Sequence, residues 1–163
     1  MKTLLIVYHT MTGGTLQMAQ AAADGAAEET AVQVRLCHAA EAAAEDLIDA
    51  DGYLFATPEN LAAISGQLKD FFDRTYYAAL ERLNGRPYAA LICAGSDGRN
   101  AARQIERIAT GWRLKPVAPA LIVCTHAQTP EEILRPKQIS PKDLQACRDM
   151  GMTLAAGLAL GVF

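Results

Sequence analysis

The amino-acid sequence predicts one α/β domain over residues 1–163, with helices on both faces of a five-stranded, doubly wound parallel sheet of strand order 2-1-3-4-5. Two observations support this prediction. Strand-like and helix-like segments alternate along the whole chain, which is typical of parallel strands joined by right-handed crossovers. The chain is also long enough to bury a substantial core, and 51% of its residues are hydrophobic.

The strands are predicted from short apolar or alternating runs, most of which suit burial on both faces of a sheet. They lie at residues 3–8, 32–36, 51–56, 87–94 and 115–125. The last of them is an interrupted strand. Residues 57–64 are predicted to form a loop after the third strand.

The helices are predicted from apolar residues that recur every three or four positions. They lie at residues 15–28, 40–49, 65–80, 99–112 and 141–160, and a proline-rich segment at 129–141 precedes the last one. The residues expected to face the core are Leu16, Ala19, Ala23 and Ala26 on the first helix, and Leu68, Phe71, Phe72 and Thr75 on the third. The third helix also carries two aromatic doublets, Phe71-Phe72 and Tyr76-Tyr77. One member of each is expected to face the sheet, and an exposed member offers a contact between subunits.

The turn after the first strand has the composition of a phosphate-binding loop. Thr10, Thr12 and Thr15 supply hydroxyl groups, while Gly13 and Gly14 let the backbone approach an anion closely. The loop opens a helix, whose free N–H groups and positive dipole end attract anions. It lacks the lysine of the mononucleotide P-loop and the dinucleotide fingerprint. Neutral donors suit the dianionic monoester of FMN; an ordinary glycine-rich turn is the alternative.

Two further loops are expected beside this one. In doubly wound sheets, ligands bind beyond the carboxyl ends of the strands, where the strand order reverses. This rule brings together residues 9–15, 57–64 and 94–100, which are all rich in glycine, threonine, serine, asparagine and proline. The three loops are therefore predicted to form one site.

Two segments resemble the flavodoxin-like family of FMN proteins. Residues 10–15, Thr-Met-Thr-Gly-Gly-Thr, match the family's phosphate loop, [ST]-x-T-G-x-T. Residues 57–75 resemble the segment T-P-x-x-F-G-x-M-S-x-x-[LM]-K-x-F-x-D-R of NAD(P)H:quinone oxidoreductases and FMN reductases in this family. Residues 94–99 lie where the family has its third flavin loop. The order of elements extends the resemblance to essentially the whole chain.

The resemblance implies a flavodoxin-like fold, FMN as the cofactor and NAD(P)H as the co-substrate. The residues implied to bind the FMN phosphate are Thr10, Met11, Thr12, Gly13, Gly14 and Thr15. Those implied to line the isoalloxazine ring are Thr57, Pro58, Glu59, Asn60 and Leu61, and those implied to contact its edge are Ala94, Gly95, Ser96, Asp97, Gly98 and Arg99. No catalytic side chain is implied, because hydride transfer is the chemistry of the cofactors themselves.

The favoured function is an FMN-dependent oxidoreductase that passes electrons from NAD(P)H to a quinone or a similar small-molecule acceptor. One alternative is a flavodoxin-type electron carrier with no substrate of its own. The net charge of −3 and the basic residues concentrated between 99 and 148 argue against the strongly acidic face of such carriers. Another is a binding protein whose flavin site has decayed, since Leu61-Ala62 replaces the aromatic-glycine pair common in the family.

Other charged side chains near the loops each have two interpretations. His9 either favours a dianion when protonated or makes a local hydrogen bond at the end of its strand. Arg99, Arg103 and Arg107 form one stripe on the fourth helix, which either binds phosphates or a partner subunit, or faces solvent. Asp97 is expected to form a turn.

The remaining features of the sequence bear on the partners of the protein and on its location in the cell. The net charge of −3 gives no case for nucleic-acid binding. The apolar runs at the two ends of the chain are too short for membrane insertion. Four cysteines without close spacing argue against a metal site and fit free thiols in a reducing cytoplasm. Because a neighbouring subunit commonly covers the flavin edge in this family, the resemblance also implies a homo-oligomer.

Overall fold

The structure, a computed structural model, describes all residues from 1 to 163. Its strands are β1 Lys2–Tyr8, β2 Val32–His38, β3 Gly52–Asn60, β4 Ala63–Ile64, β5 Pro87–Ala94, β6 Lys115–Pro116 and β7 Leu121–Cys124. Its helices are α1 Gly14–Ala26, α2 Ala44–Asp49, α3 Gly66–Ala79, α4 Arg99–Gly111, α5 Pro130–Leu134 and α6 Pro141–Leu160. None of these helices combines the length and the apolar character needed to cross a membrane.

The parallel strands have the order β2-β1-β3-β5, and β6 and β7 both run parallel to β5 at the far edge. This order confirms the prediction, since β6 and β7 are the two parts of the predicted interrupted strand. The gap at residues 117–120 contains Pro119, which has no N–H group to donate to a strand ladder. The strand order reverses between β1 and β3, so the loop after β1 opens at the switch point.

The core lies in two clusters, one on each face of the sheet. Strand β1 shows the division, because Leu4 and Ile6 belong to one cluster and Leu5 and Val7 to the other. Helices α1 and α6 cover the first face, while α2, α3 and α4 cover the second. The three predicted layers are therefore confirmed.

The buried face of α1 differs from the prediction at one position. Leu16 is 37% exposed, whereas Met18 and Ala22 are fully buried. With about 100° of rotation per residue, the buried arc of this helix is centred near Ala22, and Leu16 lies outside it. The other three predicted core residues of α1 are buried.

The predicted loop at 57–64 is wrong, because this stretch is a β-hairpin. Strand β3 continues to Asn60 and turns through Leu61 and Ala62 into β4, with Asn60 opposite Ala63 in antiparallel register. Residues 57 and 58 still pair with β5, so the sheet extends further towards the site than the apolar run indicated. The hairpin stands at the carboxyl end of β3.

Helices α5 and α3 are the remaining elements in which the structure can be compared with the sequence predictions. The proline-rich segment contains the short helix α5, which begins with Thr129 accepting a hydrogen bond from the N–H of Glu132 and with a proline in its first turn. Thr-x-x-Glu is a helix-start signal that the sequence already carried. On α3, the four predicted core residues are buried, and Tyr77 is the exposed aromatic residue, at 81%.

Candidate functional site

A cleft of about 640 Å³ opens at the switch point, beyond the carboxyl ends of β1, β3 and β5. Its volume lies within the range of cofactor sites in proteins. The residues lining it are Thr10, Met11, Thr12, Gly14, Thr15, Pro58, Glu59, Asn60, Leu61, Cys93, Ala94, Gly95, Ser96, Thr125, Ala127, Gln128, Ile133 and Lys137. All three predicted loops thus meet in one concave site.

Five residues of the implied flavin set lie outside this lining: Gly13, Thr57, Asp97, Gly98 and Arg99. Asp97 accepts a hydrogen bond from the N–H of Arg99 at 3.2 Å, as a turn former does, and also pairs with its guanidinium. Arg99 and Arg103 line a separate groove of about 580 Å³ beside α4. None of the three arginines of the stripe lines the cleft.

The phosphate loop leads directly into an uncapped helix. Gly13, the N-cap of α1, has a φ of 93°, in the left-handed region where glycine is favoured, and no side chain caps this end. The first N–H groups of α1 are thus left free for an anion. At Gly14, a Cβ atom would lie 2.7 Å from the Sγ atom of Cys93. This contact requires glycine for the loop to pack against β5.

Thr15 carries the clearest sign of a ligand-binding position. The residue is 1% exposed and lines the cleft. Its buried hydroxyl has no hydrogen-bond partner of good geometry, and the polar group beside it is the Cys93 thiol, a weak hydrogen-bonding group. A buried polar group left without a partner costs about 1–3 kcal/mol, so such groups are rare in folded proteins. An acceptor bound at the start of α1 would satisfy it. The residues present therefore fit a phosphate group at this position.

Sequence reasoning missed the cation of the site. The Nζ atom of Lys137 lies 3.4 Å from the Oγ1 atom of Thr12, although the two residues are 125 positions apart. The loop itself, residues 10–15, contains no lysine. No local pattern around Lys137 indicated its position, because the path of residues 125–140 depends on tertiary packing.

The hairpin wall of the cleft is fastened to α4. The carboxylate of Glu59 accepts hydrogen bonds from the N–H groups of Gly98 at 2.9 Å and Ala101 at 3.1 Å. The Asn100 side chain donates to the carbonyl oxygen of Ala62 at 2.6 Å. Glu59 thus stabilises the N-terminus of α4 and positions the third loop.

Thr57 holds the base of the same hairpin. It is fully buried, donates to the carbonyl oxygen of Pro58 at 2.9 Å and accepts from the N–H of Ser65 at 3.1 Å. Ser65 in turn accepts a hydrogen bond from the N–H of Leu68 and caps α3. The Thr57 hydroxyl therefore connects the hairpin to α3.

The tip of the hairpin has an uncommon backbone. Leu61 and Ala62 have φ values of 50° and 61°, which suits a two-residue turn of the type that asparagine and glycine favour. The left-handed conformation costs about 1–2 kcal/mol for a residue with a Cβ atom. The Leu61 side chain, moreover, is fully exposed at the edge of the cleft.

We expect Ala62→Gly to raise the free energy of unfolding by about 1 kcal/mol, because glycine removes most of this conformational cost. Urea denaturation measures the change. Ala63→Gly is the matched control, since Ala63 lies in β4 without a positive φ, and there the same substitution is expected to destabilise. Equal losses in both variants would contradict a strained turn.

Burial governs the titratable groups around the loop. Burial raises the pKa of the Cys93 thiol to about 11, so the thiol at the base of the cleft stays protonated at neutral pH.

The buried Nδ1 atom of His9 has no hydrogen-bond partner. Burial, and then the nearby charge of His38, lower the pKa of His9 below 6.5. His9 therefore favours its neutral form and makes no local hydrogen bond through Nδ1.

This lowered pKa predicts a loss of stability in mild acid. Because the unfolded chain binds a proton on His9 more readily than the folded one, stability is fully present above pH 6.5 and falls as the pH drops through the folded pKa. We expect the melting temperature to fall less between about pH 7.5 and 5.5 in His9→Phe than in the wild type. Identical pH dependence in the two proteins would exclude His9 as the cause.

The comparisons with known proteins agree with this geometry. A family model described as NADPH-dependent FMN reductase matches residues 22–129. A flavodoxin of Aquifex aeolicus is 35% identical over 98 residues, which are 60% of this chain and 53% of that protein. An NAD(P)H dehydrogenase (quinone) of Acidithiobacillus ferrooxidans is 32% identical over 95 residues, 46% of this chain and 48% of that protein. The chain spans about half the length of these relatives.

Solved structures show the same fold. Oxidised flavodoxin 1 of Bacillus cereus superposes with a TM-score of 0.79 at 17% sequence identity, covering 96% of this chain and 99% of that one. The fold is therefore flavodoxin-like, as the resemblance implied. The family match covers about two thirds of the sequence, including the hairpin and the third loop. The chain therefore belongs to the NADPH-dependent FMN reductase family.

Proposed function

We propose that this protein binds FMN in the cleft at the switch point and uses it to transfer electrons from NAD(P)H to a quinone or a similar small-molecule acceptor. The observation that carries the proposal is the buried, unpartnered hydroxyl of Thr15 beside the uncapped start of α1. It supports a phosphate-bearing ligand at that position. The family of FMN reductases supports FMN as that ligand.

The residues of the chain position the cofactor and shape its surroundings. Thr12, Thr15 and the first N–H groups of α1 hold the phosphate, while Pro58 and Asn60 form one wall for the ring. Gly95, which directly follows β5, also lines the cleft. When bound, FMN supplies the electron-transfer chemistry. The exposed tip at Leu61 leaves the hairpin side open, so a flat acceptor has room to approach.

The test is turnover by the FMN-loaded protein. We expect oxidation of NADH or NADPH to follow the added quinone and to stop when FMN is removed by gel filtration under mild denaturant. If the protein carries FMN but oxidises neither NADH nor NADPH with any quinone, the proposed enzymatic activity is wrong.

The second candidate function is an electron carrier with no substrate of its own. The similarity to the Aquifex aeolicus flavodoxin favours it. A carrier would take up FMN as tightly as the enzyme but would need a redox protein to reduce it. Rapid anaerobic reduction by NADPH alone therefore separates the two functions.

We further propose that the chain acts as a single domain in a homo-oligomer. Exposed apolar side chains, Met11, Leu61 and Ile133, surround the mouth of the cleft, and Tyr77 stands out from α3. Such groups are typical of contacts between subunits. Sedimentation velocity at micromolar concentration tests the proposal, and a monomer with and without FMN would contradict it.

A further inference from the structure

Lys137 is the only basic residue that lines the cleft. Its ammonium group donates to the carbonyl oxygens of Glu132 and Ile133 at 2.8 Å and of Arg135 at 2.6 Å, at the C-terminal end of α5. The fourth neighbour is the Thr12 hydroxyl, at 3.4 Å. These carbonyl groups hold the positive charge beside the phosphate loop before any ligand arrives.

The backbone around Lys137 is fastened to the same loop and helix. The N–H of Lys137 donates to the carbonyl oxygen of Thr12 at 2.9 Å. The Gln17 carboxamide donates to the carbonyl oxygen of Lys137 at 2.7 Å and accepts from the N–H of Ile139 at 3.0 Å. Ile139 is 7% exposed and belongs to the core. The charge therefore has a fixed position relative to the start of α1.

No carboxylate compensates this charge, since Lys137 takes part in none of the ion pairs of the protein. The carboxylate of Glu132 instead accepts from the N–H groups of Gln128 and Thr129. The carboxylate of Glu59 accepts hydrogen bonds from N–H groups at the N-terminus of α4. A partly buried cation without a counter-ion favours an anionic ligand nearby, through its charge.

We propose that Lys137 is a specificity-determining residue of the phosphate subsite, where its charge selects the phosphorylated flavin, FMN, over riboflavin. The inference rests on the proposed function, since it assumes that the cleft binds a flavin. The unpartnered Thr15 hydroxyl at the same end of the cleft independently indicates a missing acceptor. A phosphate dianion gains from the nearby ammonium group, whereas the uncharged end of riboflavin does not.

The test compares FMN and riboflavin binding by fluorescence titration in the wild type, Lys137→Met and Lys137→Arg. In Lys137→Met we expect FMN to bind about 10- to 100-fold more weakly, the effect of losing a nearby positive charge, while riboflavin binding stays unchanged. Added salt is expected to weaken FMN binding more in the wild type than in this variant. Lys137→Arg is expected to recover most of the loss. Lys142→Met, at an exposed lysine of α6 outside the cleft, is the control with the same change of net charge.

Two results would overturn the inference while leaving FMN binding in place. Lys137→Met with wild-type affinity for FMN would show that the charge is not used. Equal losses for both flavins, with the salt dependence unchanged and no recovery in Lys137→Arg, would show that Lys137 only holds α5 and the loop in place. If the wild type binds neither flavin, the proposed function is wrong, and the inference about Lys137 is then wrong as well.

Discussion

Thr15→Val is expected to weaken FMN binding by about 10- to 100-fold and, at the same time, to stabilise the ligand-free protein by about 1 kcal/mol. The two effects have one cause. Valine keeps the shape of threonine but removes the hydroxyl, which is buried without a partner until an acceptor binds. Fluorescence titration measures the affinity, and urea denaturation without ligand measures the free energy of unfolding.

Few other substitutions are expected to move stability and affinity in opposite directions. Thr153→Val is the control, because the Thr153 hydroxyl already donates to the carbonyl oxygen of Asp149 on α6 and does not line the cleft. It is expected to leave FMN binding unchanged. Wild-type FMN affinity in Thr15→Val would remove Thr15 from the phosphate site.

Gly151→Ala is expected to lower the free energy of unfolding by about 2–3 kcal/mol, through overpacking between α1 and α6. A Cβ atom at Gly151 would overlap the backbone carbonyl of Ala22, and one at Gly25 would overlap that of Arg148. The two helices thus touch backbone to backbone, so only a shift of a whole helix can make room. Thermal or urea unfolding of the ligand-free protein measures the loss.

Gly66→Ala is the matched control for this contact. Gly66 begins α3, and apart from its chain neighbours and the nearby backbone of its own helix, no atom lies within 4 Å of a Cβ atom built there. Because alanine also has the higher helix propensity, the control is expected to be neutral or slightly stabilising. A similar loss of stability in the two variants would argue against close packing as the cause.

The strand order and the meeting of three loops were predictable because they follow from local patterns and general rules of parallel sheets. Apolar runs marked the strands, and the glycines at 13 and 14 marked the turn after β1. The hairpin at 57–64 was missed because Leu61-Ala62 lacks the asparagine or glycine that usually marks a two-residue turn. Here tertiary contacts with α4 hold a backbone that the local sequence does not favour.

The roles of the polar site residues were less predictable than their location. Glu59 and Thr57 were implied to line the flavin ring, and Glu59 does line the cleft. Their side chains also make structural hydrogen bonds, to the N-terminus of α4 and to the hairpin base, which the sequence did not indicate. Lys137 had no local signal, because its position depends on contacts with Thr12 and Gln17, more than 100 residues away. Sequence patterns locate such a site, while the pairing of its polar groups depends on the packed structure.

The most direct test of the central claim, that the switch-point cleft binds FMN, is an amide chemical-shift titration of the isotope-labelled protein with FMN. We expect the largest shifts at Gly14, Thr15 and Gly95, with small shifts at Arg103 and Ala118 in the separate groove beside α4. Thr15→Val is expected to require more FMN for the same shifts. Saturation with shifts confined to the α4 groove, or no shifts at millimolar FMN, would contradict the account.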